Sequence, residues 1–265
     1  MIDLHAHILP GLDDGARGWD ETLTMARMAV QDSIRGVVCT PHWNSGLYEN
    51  GRERVLRTVE ELRMRLREHS IGLEVYPGAE LRLDARLPEH IDDGRLLTLN
   101  DTGRYALVEL PMEVIPLRVD DLFYELQSRS ITPVLAHPER NFALMKDPAR
   151  LHVWVQAGVL TQVTAASLLG RFGPEVRRFT LEIMEHAMAH VLATDTHGPG
   201  TRTPHLSEAV REAERVQGER GARAMVLDTP RKIIEGVPVS GPEPVPFGRS
   251  SFVKRFFSFF RAMNG

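Results

Sequence analysis

An α/β fold with a parallel sheet, doubly wound or closed into a barrel, is the architecture predicted by this chain of 265 residues. Three observations carry the prediction. Short apolar runs alternate with longer amphipathic ones. Most short runs stop at Gly or Pro, as buried strands often do. Histidines and carboxylates recur just past the ends of those runs. In a parallel α/β fold the C-terminal strand ends point at one face, where sites are built.

The elements follow in order. "MIDLHAHILPGLDDG" opens with Ile2 and Leu4 and brings His5 and His7 to a strand end, with Asp13 and Asp14 close behind. "RGVVCTP" is the next strand. "GRERVLRTVEELRMRLREHS" is a helix, because Val55, Val59, Leu62 and Leu66 form one stripe among charges. "LEVYPGAEL", "YALVELP" and "TPVLAHP" read as three more strands. "DPARLHVWVQAG" is helical, with Gly158 as its C-terminal stop. "LTQVTAA" and "HVLATDTHG" are strands, and "GPEVRRFTLEIMEHAMAHV" between them is a helix. "HLSEAVREAERVQGERG" is a helix, and "ARAMVLD" reads as a last strand. No internal repeat is visible. "SGPEPVPFG" reads as a Pro/Gly linker before a basic, Phe-rich tail.

Composition excludes several classes. The chain is 42% hydrophobic and 26% charged, with a net charge of -4, so no basic field calls for nucleic acid. One cysteine, Cys39, rules out an internal disulfide framework and fits a reducing compartment. No signal peptide or bilayer-length apolar run is visible. A cytoplasmic location is the expectation that fits these features.

The chemistry-bearing residues at strand ends are His5 and His7, His42 in "CTPHW", Glu80 in "PGAEL", Glu109 in "VELP", His137 in "AHPER", and Asp195 and His197 in "TDTHG". Carboxylates and neutral imidazoles are ligands of Zn²⁺, Mn²⁺ and Fe²⁺. Burying so many titratable groups at one barrel mouth is costly unless a cation compensates them. His69, His90, His152, His186, His190 and His205 lack the strand-end setting and are read as surface or packing residues. No Cys-x₅-Arg loop is present, since "CTPHWNS" has Ser45 where Arg should stand. No Walker loop or dinucleotide fingerprint is present.

The segments "MIDLHAHILPGLDDG", "CTPHW", "PGAELRL", "VELP", "AHPERN", "QVTAASLLGRFG", "ATDTHG" and "DTPRKIIEG" run in order from residue 1 to about 236. On these the chain resembles the polymerase-and-histidinol-phosphatase (PHP) family. Within it, the chain is similar to the bacterial manganese-dependent protein-tyrosine phosphatases of capsule and exopolysaccharide operons. The resemblance implies a distorted (β/α)7 TIM-like barrel over residues 1–240, with a linker and tail over 241–265. It also implies three divalent ions, with Mn expected and Fe, Zn or Co admitted. Carried over by motif, His5, His7, Glu80 and Asp195 would hold one ion. Glu80, bridging, would hold a second with Glu109 and His137. Asp14, His42 and His197 would hold a third. Asp13 is read as a loop cap. The chain departs from common PHP patterns at Asn141, where Tyr is frequent, and at Thr196-His197-Gly198, where Ala-His-Asn is frequent. Neither change removes a ligand.

The ions would lower the pKa of water so that hydroxide is available near neutral pH, and would offset phosphoryl charge. The resemblance makes Arg140 and Arg202, just after two ligand segments, the expected phosphate-binding residues. His42 is the one nominee for a proton donor, if metal does not fully engage it. The implied function is hydrolysis of phosphotyrosine on a tyrosine autokinase of polysaccharide export. The alternatives are a small-molecule phosphatase such as histidinol-phosphatase and a non-catalytic metal-binding scaffold. In "SSFVKRFFSFFRAMNG", Phe252, Phe256, Phe259, Phe260 and Met263 would share one face of a helix, with Lys254, Ser258 and Arg261 opposite. Such a helix would dock on the inner face of the membrane or a partner, or fold back over the barrel.

Overall fold

The structure, a computed structural model, describes residues 1–247. The predicted tail helix lies outside the described residues. The chain opens with β1 (Ile2–Ala6), α1 (Trp19–Gln31), β2 (Gly36–Cys39), β3 (His42–Asn44), β4 (Tyr48–Glu49) and α2 (Arg52–Glu68). It continues through β5 (Glu74–Pro77), β6 (Glu80–Arg82), α3 (Leu87–Asp92), β7 (Tyr105–Glu109), α4 (Val119–Ser128) and β8 (Thr132–Ala136). Then come α5 (Phe142–Lys146), α6 (Pro148–Gln156), β9 (Leu160–Thr164), α7 (Ala165–Leu168), α8 (Pro174–Glu185), β10 (Val191–Ala193), α9 (Ser207–Arg223) and α10 (Thr229–Ile234). The four helices expected from periodicity are α2, α6, α8 and α9. Gly158 (φ 92°) follows the end of α6. Among the described residues no helix is long and apolar enough to cross a membrane.

The strands close into a barrel. β1, β2 and β5 pair in parallel. β2 runs on past Pro41 into β3, and β5 runs on past Pro77 and Gly78 into β6. Proline lacks the N–H that an unbroken ladder would need, so each of these strands is split in two. β3, β6, β7, β8, β9 and β10 continue the parallel order, while β4 only adds an antiparallel flap to β3. An Ala6–Thr196 bridge joins β10 back to β1. The staves are thus β1, β2–β3, β5–β6, β7, β8, β9 and β10, which is a distorted (β/α)7 barrel. The split staves are the distortion.

Ile2, Leu4, Val38, Tyr105, Leu107, Val134, Ala136, Leu160, Val191 and Ala193 come together from staves all round the barrel and fill its interior. The outer faces, with Val37, Cys39, Val108, Leu135, Val163 and Leu192, pack on the helix stripes.

"ARAMVLD" is not a strand. It continues α9 as a wide helical turn, Ala224–Asp228. The barrel is already closed by β10 and β1, so no edge remains for another strand. Met225 and Val226 bury against the helical layer instead. The "SGPEPVPFG" stretch does not stand clear as a spacer through Phe247. Val245 N–H donates to His186 O (2.9 Å), and the Phe247 ring stacks on His186 at 4.6 Å.

Candidate metal centre

The site lies at the C-terminal ends of the strands. β1 delivers His5 and His7 through a bulge: Asp3 pairs with Val37 and Ala6 with Cys39, three steps against two. A bulge re-aims the side chains that follow it. Leu4 therefore joins the interior core while His5 also turns inward, where its Nδ1 meets Gln162 Oε1 of β9 at 2.8 Å. The next loop folds back tightly on His7. A Cβ at Gly15 would sit 2.2 Å from His7 O, so only glycine fits there. That fold-back lets Asp13 Oδ2 take His7 Nδ1 at 2.7 Å and His42 N–H at 2.9 Å. Asp13 Oδ1 accepts Gly15 N–H at 2.9 Å. Asp13 thus caps the loop, as expected, and also orients an imidazole.

With Gln162 and Asp13 accepting at both Nδ1 atoms, the Nε2 atoms of His5 and His7 converge to 3.1 Å. They face Glu80 Oε2 and Asp195 Oδ1 at 3.2–3.4 Å. Those two carboxylate oxygens are buried and have no hydrogen-bond partner. Electron-rich atoms crowded in a dry site repel one another unless positive charge sits among them. Without an ion, protons supply it. Burial pulls the His7 imidazole down, but the carboxylates of Asp13, Asp195 and Glu80 outweigh burial and hold it well above its usual value. His5 is raised in the same way, by Glu80 and Asp195 against burial. Glu80 is held well below the ordinary range because His5, His137 and His42 overcome its burial. Asp195 is likewise held low, by His5, His7 and Arg202. The donor set and the orphaned oxygens fit a divalent cation.

The other expected residues surround this point. His42 Nδ1 lies 2.9 Å from Glu80 Oε2, and His137 Nε2 lies 2.8 Å from Glu80 Oε1. Glu109 Oε1 is 3.9 Å from His137 Nε2, and its other oxygen accepts from Arg82 Nη1 at 2.9 Å. Asp14, the exposed member at 53%, reaches His197 Nε2 at 3.4 Å and His42 Nε2 at 3.5 Å. Its hydrogen bond with His197 holds its carboxyl below the usual range. Burial pushes His197 down. Three overlapping sets have donor atoms within 4.8 Å of one another: His7, Asp14, His42 and His197; His5, His7 and Glu80; and His42, Glu80 and Glu109. Asp195 and His137 adjoin them through the contacts above. His137 (φ 32°) and Asp195 (φ 51°) both hold left-handed backbone, a strain that clusters at functional sites.

Arg140 Nη1 donates to Asp195 Oδ2 at 2.8 Å, and Arg202 Nη2 donates to the same oxygen. Both guanidinium groups are partly exposed, at 17% and 24%. Cys39 is buried in the outer core, and burial pushes its thiol up to about 12, which rules out a thiolate nucleophile. Sequence reasoning missed Gln162, Arg82 and Tyr48, whose ring stacks on His42 at 5.7 Å. Only Gln162 left a signal: a polar residue inside the apolar run "LTQVT".

A family model described as "Capsular polysaccharide synthesis, CpsB/CapC" matches residues 1–235. The chain is 36% identical over 260 residues to the tyrosine-protein phosphatase YwqE of Bacillus subtilis, covering 98% of this chain and 100% of YwqE. It is 36% identical over 197 residues to the putative tyrosine-protein phosphatase CapC of Staphylococcus aureus, covering 74% and 77%. It is 28% identical over 239 residues to the tyrosine-protein phosphatase CpsB of Streptococcus pneumoniae, covering 88% and 98%. Among solved structures, it superposes with a TM-score of 0.90 and 36% identity on a chain from the crystal structures of YwqE and CpsB, described as unique metal-dependent tyrosine phosphatases. That match covers 94% of this chain and 100% of the other. A 5-methylcytosine deaminase from Klebsiella pneumoniae, at 11% identity and a TM-score of 0.55, shares the fold alone.

Proposed function

The chain belongs to the CpsB/CapC family of capsular polysaccharide synthesis, and on that premise we propose that it is a metal-dependent protein-tyrosine phosphatase. The observation that carries the reading is the convergence of His5 and His7 Nε2 on the orphaned oxygens of Glu80 and Asp195, with two arginines at the rim. His5, His7, Glu80 and Asp195 would hold one ion; Glu80, Glu109 and His137 a second; Asp14, His42 and His197 a third. Manganese is the proposed metal. Divalent ions bound there supply a water of lowered pKa and offset the phosphoryl charge.

The chain's own residues do the rest. Gln162 and Asp13 fix the tautomers of His5 and His7, so that both Nε2 lone pairs face inward. Asp195 Oδ2 holds Arg140 and Arg202 side by side, and their remaining N–H donors take the phosphoryl oxygens of the substrate. A phenolate leaves from a parent acid of pKa about 10, so little proton donation is needed. His42, at 17% exposure, would give what is needed only if the third ion leaves one of its ring nitrogens free.

The proposed substrate is a phosphotyrosine segment of a tyrosine autokinase of polysaccharide export. The proposed location is the cytoplasm. The test compares metal-saturated protein on a phosphotyrosine peptide and on histidinol phosphate at equal concentration. Higher kcat/KM on the peptide supports the reading. Preference for histidinol phosphate would assign the site to a small-molecule phosphatase.

A further inference from the structure

The segment "QVTAASLLGRFG" contains no His, Asp or Glu, so it offers none of the ligand types that fill the rest of the site. Gln162, at its start, is accounted for by His5. Phe172, near its end, is not. It lies in the turn between α7 and α8, half-buried, and the Arg140 guanidinium carbon stands 4.7 Å from its ring centroid. Backbone hydrogen bonds hold that turn without help from Arg140. Gly170 N–H donates to Ser167 O (3.0 Å), Arg171 N–H to Ala166 O (2.9 Å) and Gly173 N–H to Gly170 O (3.1 Å). Arg177 Nε adds a bond to Leu168 O at 3.1 Å. The ring is therefore presented by a turn that its own hydrogen bonds hold together.

Arg140 has a second fixed neighbour, Asp195 Oδ2, 2.8 Å from Nη1. A guanidinium is a planar fork with five N–H donors on a flexible stem. A carboxylate on one donor leaves the plane free to swing, and an aromatic face against the cation removes that freedom. We propose that Phe172 is a positioning residue for phosphate recognition. Its ring and the Asp195 carboxylate fix the Arg140 guanidinium so that its unused N–H donors meet the phosphoryl group. The inference rests on the reading of Arg140 as a phosphate-binding residue. Phe172 acts through Arg140 and is assigned no contact with the reacting atoms.

The test uses the full chain, metal-saturated, with Phe172→Leu, Phe172→Met, Phe172→Tyr, Arg140→Ala and the Phe172→Leu/Arg140→Ala double variant. The readouts are kcat and KM on a phosphotyrosine peptide, Ki for orthophosphate as a competitive inhibitor, metal content and thermal midpoint. Phe172→Leu is expected to raise Ki and KM about three- to thirtyfold, with a smaller change in kcat and full metal content. Phe172→Tyr should restore wild-type values, and Phe172→Leu should add nothing in the Arg140→Ala background. If Phe172→Leu melts early or loses metal, Phe172→Met, which keeps bulk without a ring, takes its place. A wild-type Ki in a ringless variant, or an equal further loss in the Arg140→Ala background, would overturn the proposal and leave the phosphatase reading standing. A wild-type Ki in Arg140→Ala would overturn the premise about Arg140, and the proposal with it.

Discussion

At the scale of the residue, one carboxylate does two tasks: Asp195 turns Oδ1 toward the imidazoles and Oδ2 toward both arginines. Arg140→Ala or Arg202→Ala should therefore lower kcat/KM while leaving metal content intact. Losing a charge-assisted phosphate contact should cost about 2–4 kcal/mol of transition-state stabilisation. Steady-state kinetics beside metal analysis checks this, and wild-type kinetics in both variants would place those guanidinium groups outside the reaction. Asp13→Ala should act differently. It removes the acceptor at His7 Nδ1, so metal affinity should fall about 10- to 100-fold. Metal-binding titration reads that directly, and an unchanged affinity would reduce Asp13 to a loop cap. Eight of the candidate ligands were legible because their chemistry is carried by residue type and strand-end position, whereas Asp14 was reached only through the family resemblance. Gln162 was not legible, because its partner His5 lies 157 residues away and meets it only once β9 and β1 face the same interior.

At the scale of the element, strands were easier to read than their joins. The run "LEVYPGAEL" spans both β5 and β6, and nothing in its apolar pattern marks the break at Pro77 and Gly78 as a bend within one stave. The bulge in β1 was hidden for a related reason: register against β2 is a property of two strands. "ARAMVLD" misled because its apolar pattern suits a strand, whereas barrel closure leaves it no partner. The join between β9 and β10 carries a pH prediction. His190, just before β10, accepts Thr161 N–H at Nδ1 (3.1 Å), and burial pushes its pKa down to about 4. The unfolded imidazole titrates near 6.5. As pH falls below 6.5 the unfolded state takes the proton and the folded state does not, so stability drops until about pH 4. The thermal midpoint of the wild type relative to His190→Gln should therefore decline from pH 7 to pH 4. A constant difference across that range would mean that His190 titrates as an ordinary exposed imidazole.

At the scale of the molecule, the barrel gathers charges that the chain alone cannot comfortably hold. His5, His7, Glu80 and Asp195 are all essentially buried, and they arrive from β1, β6 and the end of β10. The alternation of strands and helices was enough to predict a parallel α/β fold. Closure was legible only through the family resemblance, because the Ala6–Thr196 bridge depends on the staves tilting until the first meets the last. The central claim is that this crowding exists to hold divalent ions that the chemistry needs. Ligands that bind only the folded state stabilise it, by about 2.7 kcal/mol per site at a hundredfold excess over Kd. The most direct measurement is a paired one: the protein is stripped with a chelator, then titrated with Mn²⁺ while thermal midpoint and phosphotyrosine-peptide hydrolysis are followed together. The account predicts that stripping abolishes hydrolysis and lowers the midpoint, and that both return along one metal-binding curve. Full hydrolysis by protein shown to be free of metal would contradict it.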